Sequence, residues 1–319
     1  MRQLAFLFVL VILASFISPP YFGDIKTSSE LGKKLFFDPI LSRDSTLSCA
    51  SCHKPALAFA DSVAISPGIG GKKGRRNAPS VMNMAARGEF FYDGRATSLR
   101  HQIHFPVEDP MEMDLPFAEA VNRIKRNPVY RDLFQKIYGK AADEEAVRDA
   151  IASFEESLET ANTEFDAWMQ DRPNTMSEAA VRGRSLFMSD RAKCFDCHFS
   201  PDFTGDEFRN IGLFDEKKYI DKGRFEATGK KEDIGKFKVP GLRNVAVTGP
   251  YMHDGSFKTL EEVVDYYSNP YDRVPQPVNL DTLLQSPIQF TKQEKEDLVE
   301  FLRSLTDRQF LHLLTSEKK

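Results

Sequence analysis

The sequence predicts a mostly α-helical protein of two domains with extensive loops. Three observations carry that expectation. The pentapeptide Cys49-Ala50-Ser51-Cys52-His53 recurs as Cys194-Phe195-Asp196-Cys197-His198, 145 positions later. The 319 residues leave room for two domains at roughly 150 residues each. Apolar residues repeat at helical spacing in several segments, and no long alternating run marks a strand. Hydrophobic content of 41% and charged content of 28% fit a globular chain. The formal net charge of −4 gives no reason to expect a nucleic-acid partner.

The repeated motif carries chemistry. C-x-x-C-H is the attachment signature of a c-type haem. Two thiols three positions apart each form a thioether to one vinyl group of a single porphyrin, and the adjacent His gives an imidazole nitrogen to the iron. On this reading Cys49, Cys52 and His53 hold one haem c, and Cys194, Cys197 and His198 hold another. His53 and His198 are the iron ligands. The chain has four cysteines, and the two motifs use all of them. The alternatives are a thioredoxin-like thiol pair, which needs neither the second copy nor the His, and a zinc ribbon. Ribbon knuckles lie about 15–20 residues apart, far closer than these. Each domain is therefore expected to be a cytochrome-c-like haem domain.

The elements follow in order. Residues 1–20 read as a signal peptide or N-terminal anchor: Arg2, an apolar run from Leu4 to Ile17, then Ser18-Pro19-Pro20. The run is short for a membrane span of about 20 residues, but an uncleaved anchor over residues 4–17 stays open. Residues 21–170 are the expected N-terminal domain and 171–319 the C-terminal one, with a linker near Asp171-Arg172-Pro173-Asn174. SSELGKKLFF over residues 28–37 predicts a helix capped by Ser28 or Ser29 and stopped at Asp38-Pro39. Residues 55–79 are a Gly-, Pro- and Lys-rich loop that lacks dinucleotide or P-loop spacing. Asn127-Pro128 predicts a cap followed by Pro at the first helical position. Asp143 opens a helix with Val147, Ala150, Ile151, Phe154 and Leu158 on one face. Trp168, with Phe165, is expected in the core. Ser177 to Phe187 predicts a helix before the second motif, as 28–37 does before the first, which suggests an internal duplication. Residues 199–250 look irregular, with Lys230, Lys231, Lys236 and Lys238 as a solvated basic cluster. Thr259–Glu262 and Thr291–Glu294 read as capping boxes.

The wording around the motifs adds a resemblance. Leu31-Gly-Lys-Lys-Leu-Phe-Phe-Asp-Pro39, Arg76-Asn-Ala-Pro79, Asp93-Gly-Arg95, Pro240-Gly-Leu-Arg-Asn244 and Tyr251-Met-His-Asp-Gly255 occur in this order around the two haem sites. The chain after residue 25 resembles the bacterial di-haem cytochrome c peroxidases, a family that includes MauG. The resemblance implies a peroxidatic haem on His53 and an electron-transfer haem on His198. It implies Gln102 and Glu112 in the distal pocket of the first haem, where a carboxylate shuttles a proton between peroxide oxygens and an amide orients the bound species. It implies a Ca2+ between the haems, on the Asn77 side chain and the Thr248 and Pro250 carbonyls, all oxygen donors suited to a hard cation. It also implies export, since c-type maturation follows export in bacteria, and it raises a homodimer.

Three departures from the family pattern matter. Many members carry a His in the loop before Arg-Asn-Ala-Pro that blocks the peroxidatic iron until the other haem is reduced. The loop from Ser62 to Arg76 has no His, and the aligned position is near Ile69. The first iron is therefore expected to stay open. His101 and His104 flank Gln102, either as substitute ligands or as ordinary helix-surface residues. The inter-haem aromatic, usually Trp, is Tyr92, an expected electron relay. The second haem's Met is replaced by Tyr267, beside Tyr266; MauG has a Tyr in this role. A phenolate there stabilises ferric iron and lowers the potential. The alternative is that both tyrosines pack in the core.

The leading functional expectation is an exported di-haem peroxidase that reduces hydrogen peroxide to water with electrons from a small carrier, a cytochrome c or a copper protein. The alternative is a MauG-like oxidase that forms a high-valent state and oxidises a protein or organic substrate. A third reading, a non-catalytic electron carrier, leaves Gln102 and Glu112 without a role.

Overall fold

The computed structural model describes residues 23–316, so the leader expected over residues 1–20 lies outside the described residues. The first half is helical and loop-rich. Helix α1 (Ser28–Phe37) is followed by the single turn α2 (Cys49–Cys52), then α3 (Leu99–Gln102), α4 (His104–Glu108), α5 (Phe117–Arg126), α6 (Pro128–Tyr138) and α7 (Glu144–Glu156). The cap of α1 is Thr27, not Ser28 or Ser29. Its hydroxyl accepts the Glu30 N–H at 3.2 Å and the Glu30 carboxylate accepts the Thr27 N–H at 3.0 Å, a reciprocal pair that the serines are one residue too late to make. Asn127 and Asp143 cap α6 and α7 as expected. Leu31, Leu35 and Phe36 of α1 pack on Val147, Ala150, Ile151 and Phe154 of α7 as the first core.

The second half holds α8 (Glu164–Met169), α9 (Glu178–Phe187), β1 (Phe208–Arg209), α10 (Phe225–Thr228), β2 (Phe237–Lys238), α11 (Leu260–Ser268), α12 (Lys292–Ser304) and α13 (Leu311–Ser316). Strands β1 and β2 pair antiparallel, Phe208 opposite Lys238. Phe165 of α8 is buried in the second core, and Trp168 packs against it. Thr291 and Glu294 form a full capping box. At α11 only half forms: Glu262 N–H donates to Thr259, but the Glu262 carboxylate takes the Lys258 N–H at 2.6 Å. The basic cluster is also smaller than its spacing suggests. Lys230 and Lys231 are exposed, whereas the Lys238 ammonium turns inward to Asp206 at 2.7 Å.

The duplication is extensive. Gly32 of α1 lies so close to α7 that a Cβ would sit 1.7 Å from the Ala150 carbonyl oxygen. Gly183 of α9 meets α12 the same way, 1.9 Å from the Asp297 oxygen. Four residues along each helix, Phe36 meets Phe154 and Phe187 meets Phe301, with ring centroids 5.2 and 5.1 Å apart. Phe90 pairs with Ala96 around Asp93-Gly94, and Tyr251 with Phe257 around Asp254-Gly255. Phe91 and Met252 have positive φ at the same point of these turns. Each half is thus one helix pair, touching at a glycine, with a C-x-x-C-H turn and an Asp-Gly turn set against it.

Candidate active site

Each C-x-x-C-H segment forms one helical turn that ends at its His. In the first, the His53 Nδ1–H faces the Phe59 and Pro79 carbonyl oxygens at 3.2 and 3.0 Å. In the second, His198 Nδ1 bonds the Phe203 carbonyl at 2.8 Å and also the Pro240 backbone. A ring nitrogen committed to carbonyls fixes the tautomer and leaves Nε2 as a lone-pair donor. Burial holds both imidazoles below their ordinary pKa, outweighing these bonds, so they are neutral and ready to ligate a metal.

His53 opens on a cavity of about 740 Å³ that Cys49 and Cys52 also line. That is within the range of about 300–1,000 Å³ common for cofactor sites. Gln102, at the end of α3, and Glu112, in the loop after α4, line the same cavity, with Phe91, Tyr92 and Arg95. Burial, then the charge of Asp109, raises the Glu112 carboxyl above its ordinary value, and Arg95 only partly offsets this. Arg95 is held by Asp93 at 3.0 Å and lies 3.5 Å over the Phe91 ring. The loop before Arg76 closes against the Glu112 segment: Ile69 N–H donates to the Glu112 carbonyl at 2.7 Å and Lys72 to the Pro110 carbonyl at 3.0 Å. A Cβ on Gly68 would fall 1.8 Å from the Met111 oxygen, so only glycine permits this approach. His101 and His104 are not among the cavity's lining residues. They stack on each other at 5.2 Å, and His101 takes the Thr97 N–H, while His104 Nδ1 is buried outside that cavity.

Cys194, Cys197 and His198 line a second, tighter cavity of about 210 Å³. Tyr267 lines it too; burial is the main cause of its raised phenol pKa, followed by the two thiols. Tyr266 takes the other course. Its hydroxyl donates to the Ile211 carbonyl at 2.6 Å and its ring is buried against Phe257. One of the two adjacent tyrosines therefore serves the core and the other the cavity. In both cavities the donor set suits a covalently held haem: two thiols and a neutral imidazole converge on a mostly apolar space.

Tyr92 lines both haem cavities and also a third space of about 190 Å³ between them. Burial raises its phenol pKa, and Asp254 adds to this. Asn77, Thr248 and Pro250 line that middle space together. Asn77 Nδ2 donates to the Val63 and Ala64 carbonyls at 3.3 and 3.1 Å, which leaves Oδ1 for a cation. The set is neutral oxygen throughout, and no group of three or more His, Cys, Asp or Glu suited to a metal occurs among the described residues. Nearby, Arg76 ties the halves together. It bonds Asp93 on its own side and Asp221 across the boundary, at 2.8 Å through both Nε and an Nη. Burial works to raise the Asp221 carboxyl, but the Arg76 bonds and charge leave it lowered.

Sequence reasoning missed two features. Among the carbonyls that orient the imidazoles are those of Pro79 and Pro240, whose motifs carried the resemblance without any role for these residues. Glu155, buried on the cavity face of α7, also lines the first cavity. It falls four residues after buried Ile151, so a charged residue on an apolar stripe was the available signal.

The family model described as "Di-haem cytochrome c peroxidase" matches residues 26–174. Cytochrome c551 peroxidase of Nitrosomonas europaea is 35% identical over 88% of this chain and 80% of its own length. Methylamine utilization protein MauG of Methylorubrum extorquens is 36% identical over 86% and 77%. Among solved structures, a MauG-like protein associated with microbial copper homeostasis matches with a TM-score of 0.82 and 32% identity, covering 95% of this chain and 97% of that one. The diheme peroxidase BthA of Burkholderia thailandensis matches with a TM-score of 0.78 and 26% identity, covering 89% and 87%. With two C-x-x-C-H turns presenting neutral imidazoles to two cavities and this likeness along nearly its whole described length, the chain belongs to the di-haem cytochrome c peroxidase family.

Proposed function

We propose that the protein reduces hydrogen peroxide to water at the His53 cavity, with electrons from a small redox carrier, a cytochrome c or a copper protein, entering at the His198 side. The observation that carries this reading is that Gln102 and Glu112 line the cavity of His53, whereas the cavity of His198 presents Tyr267. The haem, when bound, supplies an iron that accepts peroxide and the electrons that cleave it. Glu112, its carboxyl raised by burial, takes the proton from the near oxygen and returns it to the leaving oxygen. The Gln102 amide orients the peroxide. The loop closed against Glu112 carries no His, which supports an iron position open to peroxide without prior reduction. Tyr92, shared by both cavities, would relay the electron between haems held there, and Tyr267 would hold the second iron as phenolate. A Ca2+ on Asn77, Thr248 and Pro250, its shell completed by water, braces the middle space; loss of thermal stability on chelation, absent in Asn77→Ala, tests it. Export on the leader and a homodimer complete the reading. Residues 4–17 remain an alternative anchor, and no helix among the described residues is long and apolar enough to cross a membrane.

A second reading, oxidation of a protein side chain or organic substrate in the manner the MauG likeness suggests, is favoured by Tyr267 in the His198 cavity. Peroxide consumption by the purified di-haem protein with reduced cytochrome c separates the two. Fast turnover supports the peroxidase. Slow donor turnover with a long-lived oxidised spectrum supports the oxidase. No reaction with peroxide refutes both.

A further inference from the structure

The duplicated halves can be compared position by position, and one cavity-lining position differs in kind. Helices α7 and α12 correspond in register at Ala150 and Asp297, where the glycines touch them, and at Phe154 and Phe301. One residue further, each helix reaches its haem cavity, α7 with Glu155 and α12 with Leu302. The fold therefore does not require an acid here, since the sister half fills the place with leucine. Yet Glu155 is only 5% exposed, and its Oε2 has no hydrogen-bond partner. A buried polar group without a partner is costly unless the site uses it.

The surroundings define what this group can do. Glu155 lies in the last turn of α7, where the negative end of the helix dipole opposes an anion. Burial, with Glu156 adding to it, pushes the carboxyl up to about 8. Cys49 feels its charge, which places it near the thioether edge of the cavity. The vinyl-derived thioethers and the propionates occupy opposite halves of a haem c, so Glu155 is not a propionate partner. Charged groups on the helices packed against α7 are engaged elsewhere or exposed, Lys33 of α1 and Lys125 of α5 lying in solvent. On α1, Glu30 closes the cap and Lys34 lies over Tyr130. On α3, Arg100 pairs with Asp149 and Glu156, and His101 bonds Thr97. On α5, Arg123 bonds the Ser42 and Arg43 carbonyls, and Arg126 bonds Glu119. Within the cavity the other raised carboxyl is Glu112, while Arg76 and Arg95 are held by Asp93.

We propose that Glu155 is the redox-linked acid of the His53 cavity, giving up its proton when the haem there becomes ferric and taking one back when it becomes ferrous. On reduction one electron enters the iron and one proton enters the carboxylate; on oxidation both leave. The extra positive charge of ferric haem is the only change in the cavity that favours the anion, and low local dielectric makes that charge count. Reduction of peroxide to two waters consumes two electrons and two protons, so, resting on the peroxidase reading, Glu155 holds one of those protons inside the site.

Spectroelectrochemical titration of the holoprotein across neutral pH tests this without peroxide. The midpoint potential of the His53 haem is expected to fall as pH rises. The fall approaches a tenfold change in the redox equilibrium per pH unit, about 59 mV for a one-electron couple. Glu155→Gln, and Glu155→Leu with the sister half's residue, flatten the dependence, while Glu112→Gln keeps it. Reduced-minus-oxidised infrared spectra of the unaltered protein show a protonated-carboxyl band on reduction that Glu155→Gln removes. A flat potential in the unaltered protein, a slope that survives both Glu155 variants, or a slope lost only in Glu112→Gln overturns the proposal. Peroxide turnover with a flat potential refutes the role of Glu155 alone; a sloping potential without turnover upholds it and refutes the peroxidase reading.

Discussion

Exchanging each of the two adjacent tyrosines for phenylalanine is expected to give opposite results in two assays. Tyr266 donates its hydroxyl to the Ile211 carbonyl at 2.6 Å inside a buried cluster of Leu213, Tyr219, Phe257 and Val274. Removing that hydroxyl leaves a part-buried carbonyl without its donor, at a cost of about 1–2 kcal/mol. For a chain of this size each kcal/mol is worth roughly 1.5 °C in Tm. Tyr266→Phe should therefore melt about 2 °C lower and keep the haem spectrum. Tyr267 faces the cavity of Cys194, Cys197 and His198, where burial and then the thiols raise its phenol pKa. Only a bound metal offsets that burial and makes the phenolate favourable. Tyr267→Phe should leave the apoprotein's stability within about 0.5 kcal/mol of the parent, as for a change that breaks no named interaction. In the holoprotein it should abolish the low-spin signal of the second haem and raise its potential. Parallel thermal melts and electron paramagnetic resonance spectra decide the matter. A Tyr267→Phe spectrum identical to the parent's, or a Tyr266→Phe spectrum that changes, refutes the assignment.

Three other outcomes are expected. Glu112→Gln should lower peroxide turnover by about 10²–10⁴-fold, measured by stopped flow, with both haem spectra retained. Gly183→Ala places a methyl 1.9 Å from the Asp297 carbonyl oxygen and should destabilise the second half by about 1–3 kcal/mol or more in denaturant melts, because the backbone must move. Glu155, raised from 4.5 to about 8, binds its proton more tightly in the folded chain than in the unfolded one. Its contribution to stability is thus fully present below the ordinary value and is lost as pH rises through about 8; denaturant midpoints of the apoprotein should show this fall, and Glu155→Gln should flatten it.

Some of this architecture is written in short stretches of chain. Haem attachment is local chemistry: two thioethers and an axial imidazole need residues within one helical turn, so Cys49 to His53 and Cys194 to His198 declare themselves. Helix caps at Asn127, Asp143, Ser177 and Thr291 are equally local, because the capping oxygen reaches only two or three residues ahead. Competition between neighbours limits even that. Thr27, Ser28 and Ser29 are all plausible caps, and only the reach of Glu30 back to Thr27 selects among them. The Val147, Ala150, Ile151 and Phe154 stripe was readable from its period, and it marked a buried face without saying what covered it.

Tertiary structure decided the rest, because it depends on residues far apart in the chain meeting at one place. The spacing of Tyr266 and Tyr267 does not tell which one turns to the core; the Ile211 carbonyl, 55 residues earlier, does. Lys238 belongs to a basic cluster by composition and to Asp206 by geometry. Glu155 looks like any acid at the end of a helix until α7 is seen to line a cavity whose counterpart in the other half is lined by Leu302 at the same position. Covalent attachment acts over a few bonds and is legible in order; burial and electrostatic environment are sums over everything nearby, and only the folded chain says what is nearby.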